Sequence, residues 1–73
     1  MKLNETYAGM MVYVNNLDNV KPERRSVLRD MGAYENGLLY IDDVKDGKVS
    51  FHKDSDIMSL SLEEAACVDV DVL

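Results

Sequence analysis

The sequence predicts a mainly β domain, five short strands rolled into a small barrel with a short helix inserted in the first long loop. Three observations carry this prediction. Asp46-Gly47 separates Leu38–Val44 from Lys48–Lys53, and this pair tolerates the positive φ that both central residues of a tight type I′ hairpin require. Val68-Asp69-Val70-Asp71-Val72 alternates apolar and acidic residues, the period of a strand with one buried face. Pro22 and Gly32 bracket a short helix: proline fits the first helical position, where its missing N–H has no partner. Glycine fits the position just past the end, where the backbone turns left-handed.

The remaining elements follow along the chain. Met10-Met11-Val12-Tyr13-Val14 is β-branched and aromatic, preceded by Gly9 and followed by Asn15-Asn16, and reads as a strand ending in a turn. Over residues 22–31 the helical spacing places Val27, Leu28 and Met31 on one face, expected to meet the core. Arg25 and Arg29 share another face, where like charges four residues apart add no stability. In a tight turn at Asp46-Gly47, Val44 faces Val49 and Lys45 faces Lys48, a mildly unfavourable pair. Ile57-Met58-Ser59-Leu60 is a third apolar stretch, and Ser61-Leu62-Glu63-Glu64 has the spacing of a capping box opening one helical turn. Five strands in so short a chain favour a barrel, because closure removes exposed edges.

Composition narrows the function. The 73 residues make one domain spanning 1–73 with a modest core. With 47% hydrophobic and 30% charged residues, the chain has enough apolar content to fold. One cysteine, Cys67, excludes an internal disulfide framework and a four-cysteine zinc site, and fits a reducing compartment. No apolar run approaches the roughly 20 residues of a membrane-spanning helix, and no leader pattern opens the chain. The expected setting is cytoplasmic, with no membrane partner. The net charge of −6 is unevenly placed: residues 1–36 carry five acids and five bases, whereas residues 37–73 carry nine acids and three lysines. Such a balance disfavours direct binding to a nucleic-acid backbone.

The run Tyr7-Ala8-Gly9-Met10-Met11-Val12-Tyr13-Val14 resembles the glycine-led first strand of small SH3-like β-barrels. Gly37 through Val44, Asp46-Gly47 and Val49-Ser50-Phe51 are similar to their second and third strands. Leu60-Ser61-Leu62-Glu63-Glu64-Ala65 before Val68 resembles the helical turn that leads into their last strand. Such domains occur in short bacterial and phage open reading frames, often with a longer first loop, here Asn15–Asn36. The resemblance implies an SH3-like barrel and an interaction role. The chain departs from the peptide-binding SH3 type: it has no tryptophan and no paired aromatic residues to line a polyproline groove.

Candidate chemistry is sparse. His52 and Cys67 form a conceivable nucleophile–base pair, but no third orienting group accompanies them. His52, Asp54 and Asp56 share one face if a strand continues through them, yet aspartate and serine are ordinary turn formers. No metal, cofactor or enzymatic activity is expected. The glycines at 9, 32, 37 and 47 are isolated and build no phosphate loop. The expected function is therefore a non-enzymatic interaction module. Asp42, Asp43, Asp46, Asp54 and Asp56 would meet a protein partner with a basic surface, for example as a phage-type host-directed inhibitor or nucleic-acid mimic. The alternative is a nucleic-acid-binding barrel using Lys21, Arg24, Arg25 and Arg29 against phosphate.

Overall fold

The computed structural model describes residues 1–53 and 55–73. The elements are β1 (Met11–Asn16), α1 (Pro22–Asp30), β2 (Leu38–Lys45), β3 (Lys48–Lys53), β4 (Asp56–Ser61), α2 (Leu62–Ala65) and β5 (Asp69–Val72), with a 3-10 turn at Leu3–Glu5 ahead of them. The five strands form one antiparallel sheet in the order β4-β3-β2-β1-β5. The mainly β architecture and the inserted helix are as the sequence predicts. Among the described residues, no helix is long and apolar enough to cross a membrane.

Local chemistry explains the turns and caps. Asp46 and Gly47 hold φ of 53° and 75°, so the β2–β3 turn takes only two residues and Lys45 does face Lys48. The register with β3 shifts along β2, between Ile41 and Asp43, a bulge that inserts Asp42 beside Asp43 without a ladder partner of its own. Helix α1 ends as its glycine predicts. Gly32 sits at φ 101°, its N–H donates to Arg29 O, and the Ala33 N–H donates to Leu28 O, the two bonds of a Schellman cap. At α2, Ser61 Oγ accepts the Glu64 N–H at 3.1 Å. The reciprocal half of the capping box is missing from the hydrogen bonds at this turn because Arg24 takes the Glu64 carboxylate.

Strand alternation builds the core. Val12 and Val14 of β1, Leu39 and Ile41 of β2, Val49 and Phe51 of β3, Leu60 of β4 and Val70 of β5 are all buried on the inner side. Leu17, Val20, Leu28, Ala33, Ala65 and Val68 join them. Of the predicted helix face, Leu28 is buried and Met31 packs against the core, but Val27 stays exposed, so α1 rests on the sheet through a narrower stripe than its spacing implies.

The closure expected of a barrel is not reached, and the sheet stays open between β4 and β5. Strands β4 and β5 lie at opposite ends of the strand order, and the path between them is taken by α2, which packs on β4, β3 and the 3-10 turn. The edge of β5 is covered from an unexpected direction, the first residues of the chain. Lys2 bridges Asp69, the Leu3 N–H donates to Val68 O at 2.9 Å, and the Val70 N–H donates to Met1 O at 2.8 Å. Leu3 itself is fully buried.

Candidate functional site

The structure distributes the predicted acidic surface along the sheet. Asp42 and Asp43 occupy the bulge in the middle of β2, and Asp46 is exposed at the tip of the β2–β3 turn. Asp56 opens β4 opposite Lys53, at the other end of β3 from that tip. Asp54 lies outside the described residues. Asp42 and Asp43 therefore come together, whereas Asp46 and Asp56 flank them from opposite ends. Asp43 reaches Lys45 Nζ at 3.3 Å, and Asp42 lies 2.9 Å from His52 Nδ1. Among the described residues, no ion pair engages Asp46 or Asp56.

Three of the four predicted basic residues are engaged by partners within the chain. Arg24 grips Glu64 through two hydrogen bonds of 2.8 Å, and Arg29 makes a fork to Glu35 at 2.8 and 3.3 Å. Arg25 donates to the carbonyl oxygens of Val20 and Asp18. Lys21 is exposed, beside a cavity of about 350 Å³ that Arg24, Glu63, Glu64 and Cys67 also line. All three guanidinium groups thus hold the first loop in place.

These forks set the acid behaviour of their partners. The Arg29 hydrogen bonds hold the Glu35 carboxyl down to about 2. Arg24 lowers Glu64 in the same way, and Lys2 lowers Asp69. A carboxyl depressed on folding contributes stability that is complete above its unfolded value and is lost as pH falls through the folded one. The Arg29–Glu35 contribution is accordingly expected to fade from the ordinary glutamate range down to about pH 2. In thermal melts, Arg29→Ala should lower Tm at neutral pH and leave it unchanged at the acid end of that window. An equal Tm loss at both ends would show that the arginine acts through packing instead.

The two candidate catalytic groups stand apart. His52 lies on the outer face of β3, its ring 5.0 Å from the Tyr40 ring and tilted by 33° to it. Cys67 follows α2, with its Sγ 3.7 Å from Glu63 O, in the cavity beside α1. His52 and Asp56 are likewise separated, because Asp56 faces Lys53 across the ladder and alternation puts His52 on the other side of the sheet. Among the described residues, no group of three potential metal ligands forms.

One feature of the outer face emerges only from the pairing of its strands. Register aligns Met11 with Tyr40, Tyr40 with His52, and His52 with Ile57. Leu73 extends the row by donating its N–H to Met11 O. Four of these are large apolar side chains left in water: Ile57 is 75% exposed, Leu73 70%, Tyr40 41% and Met11 39%. The row crosses the full width of the sheet, where surface apolar residues are ordinarily scattered singly. Beside it, Asp71 lies opposite Tyr13, and its negative charge raises the Tyr13 phenol above its ordinary value. The alternation of Leu38 and Tyr40 with buried neighbours carries this signal, but only cross-strand register assembles it.

Neither a family model nor a curated protein matches the chain. Among solved structures it is similar to one titled "Manganese-dependent transcriptional repressor", with a TM-score of 0.86 and 19% sequence identity. That likeness covers 99% of this chain and 40% of the repressor. The chain thus spans about two-fifths of the repressor's length. At this identity the comparison establishes the fold and carries no activity with it.

Proposed function

We propose that the chain is a non-enzymatic interaction domain of the SH3-like barrel type that binds a protein partner with a basic surface. The observation that carries this reading is the sorting of charge. The arginines are spent on intramolecular forks and carbonyl contacts, whereas Asp46 and Asp56 are exposed without an ion pair among the described residues. With a net charge of −6, such a surface speeds encounter with positive partners and repels phosphate. A nucleic-acid-binding enzyme with a basic cleft, inhibited by charge mimicry in a cytoplasmic setting, belongs to the partner class this surface suits.

Fluorescence titration with an oligolysine peptide and with labelled DNA and RNA tests the reading. Oligolysine should bind with an affinity that falls as salt rises, and the nucleic acids should not bind. Exposed charge contacts are worth about 0.2–1 kcal/mol each, so combining Asp43→Asn, Asp46→Asn and Asp56→Asn should weaken the peptide complex about tenfold. Nucleic-acid binding that Arg24→Ala and Arg25→Ala abolish would instead establish the phosphate-binding alternative.

A further inference from the structure

We infer that β4 is a docking edge, which accepts an extended segment of a partner protein as an added strand. The segment carries basic residues at both ends of an alternating apolar–polar stretch. The inference rests on the proposed basic partner and specifies how that partner is held.

The two edges of the sheet are treated differently. The β5 side is covered at Val68 and Val70 by backbone hydrogen bonds with Leu3 and Met1. Among the described residues, no backbone hydrogen bond outside the β3–β4 ladder reaches Ile57 to Leu60. Proteins ordinarily guard such an edge with lysine, proline, a bulge or a covering segment, because its outward N–H and C=O groups template another strand. Strand β4 has none of the first three. It runs from Asp56 to Ser61 without lysine or proline, and its register with β3 is unbroken, unlike the shifted registers of β1–β5 and β2–β3. Asp56, Ile57, Ser59 and Ser61 are all exposed.

Side chains at the edge favour an occupant. Ile57 is the most exposed large apolar residue described, and it ends the outer apolar row. A strand added beside β4 places a side chain directly opposite it, about 4.5–5.5 Å away between Cβ atoms. This is the geometry of strand-addition recognition, where backbone bonds give affinity and alternate side chains give specificity.

Charge selects which occupant. Asp56 stands at one end of β4. At the other, Glu63 is exposed just after Ser61, and the Leu62 N–H on Gly47 O brings the turn carrying Asp46 alongside. Nearby lysines offset this in part: Lys48 faces Ser61, while Lys53 lies over the Tyr34 ring at 4.4 Å and Lys45 pairs with Asp43. A second copy paired antiparallel about a two-fold axis would set the Asp56 end of one β4 against the Glu63 end of the other, and like charges so opposed are destabilising. A basic-ended segment meets an acid at each end.

The test uses the full chain and a synthetic peptide of alternating valine and threonine flanked by arginine pairs, with a glutamate-flanked counterpart. Amide-resolved NMR should show the arginine peptide slowing hydrogen exchange at those β4 N–H groups that point away from β3. The glutamate peptide should bind at least tenfold more weakly. Ile57→Lys and Ser59→Lys change exposed side chains and should leave the fold intact while weakening binding about tenfold or more. Asn15→Lys, which adds the same charge on β1, should change it less than threefold. Three results overturn the inference. Absence of binding by the arginine peptide is one, and the oligolysine titration then reports separately on the basic-partner reading. Perturbation confined to Asp42, Asp43 and Tyr40 is another, leaving the basic partner but moving it to the sheet face. A concentration-dependent dimer that Ile57→Lys dissolves would assign the edge to a second copy.

Discussion

Phe51→Ala is expected to remove about 3–5 kcal/mol of folding stability, the range for a buried aromatic residue truncated to a methyl group. Phe51 is fully buried and is the largest such side chain in the domain. It pairs with Ile41 on β2 and Met58 on β4, so its ring spans the inner side of the central hairpin. A chain of this size has a total stability of about 4–11 kcal/mol, from the usual range per residue. The loss is therefore at least about a quarter of the whole, and the variant should unfold at a markedly lower urea concentration. Urea unfolding followed by circular dichroism measures this directly. Phe51→Leu, which keeps most of the volume, should cost less than half as much. A loss below about 1 kcal/mol for the alanine variant would place Phe51 outside the packed centre.

Leu3→Ala should cost about 2–5 kcal/mol, although the residue lies near the chain's start, where substitutions are ordinarily tolerated. Leu3 is fully buried, and its backbone N–H holds Val68. Losing the anchor should also loosen the segment from β5. Hydrogen exchange should therefore rise at Val70, whose N–H donates to Met1 O, more than at Phe51 in the central hairpin. A uniform rise across the sheet would show that Leu3 supports only global stability and not the covering of that edge.

The local elements were legible because each rests on chemistry within a few residues. Asp46-Gly47 fixes its own turn, Gly32 its own helix end, and Ser61 its own cap. Long-range pairing was not legible. Arg24 meets Glu64 from forty residues away, so a sequence cluster of arginines resembles a phosphate patch until the fold shows each one occupied. Met1-Lys2-Leu3 is too short to give a strand period, which hid the segment that covers β5. The apolar row on the outer face arises from register among β1 to β4, and a bulge such as the one at Asp42 shifts register without a signature in composition. Asp42, Asp43, Asp46 and Asp56 are close in sequence but do not form one cluster in the fold. The β3 strand instead carries Asp46 and Asp56 to its two ends.

The strand order also divides the chain by how far its contacts reach. Strands β2, β3 and β4 form a meander whose neighbours follow one another in sequence, and β2–β3 is joined by a two-residue turn. The β1–β5 pair is different: Val14 meets Val70, 56 residues further along the chain. Closing a loop that long carries an entropy cost that the hairpins do not, and it must be met before the contact returns any energy. The meander around Phe51 is thus expected to form first, with β5 and the residues that cover its edge docking on it afterwards. Until that docking, β1 has an open side of its own, so the chain is most exposed to wrong pairing in the interval between the two events.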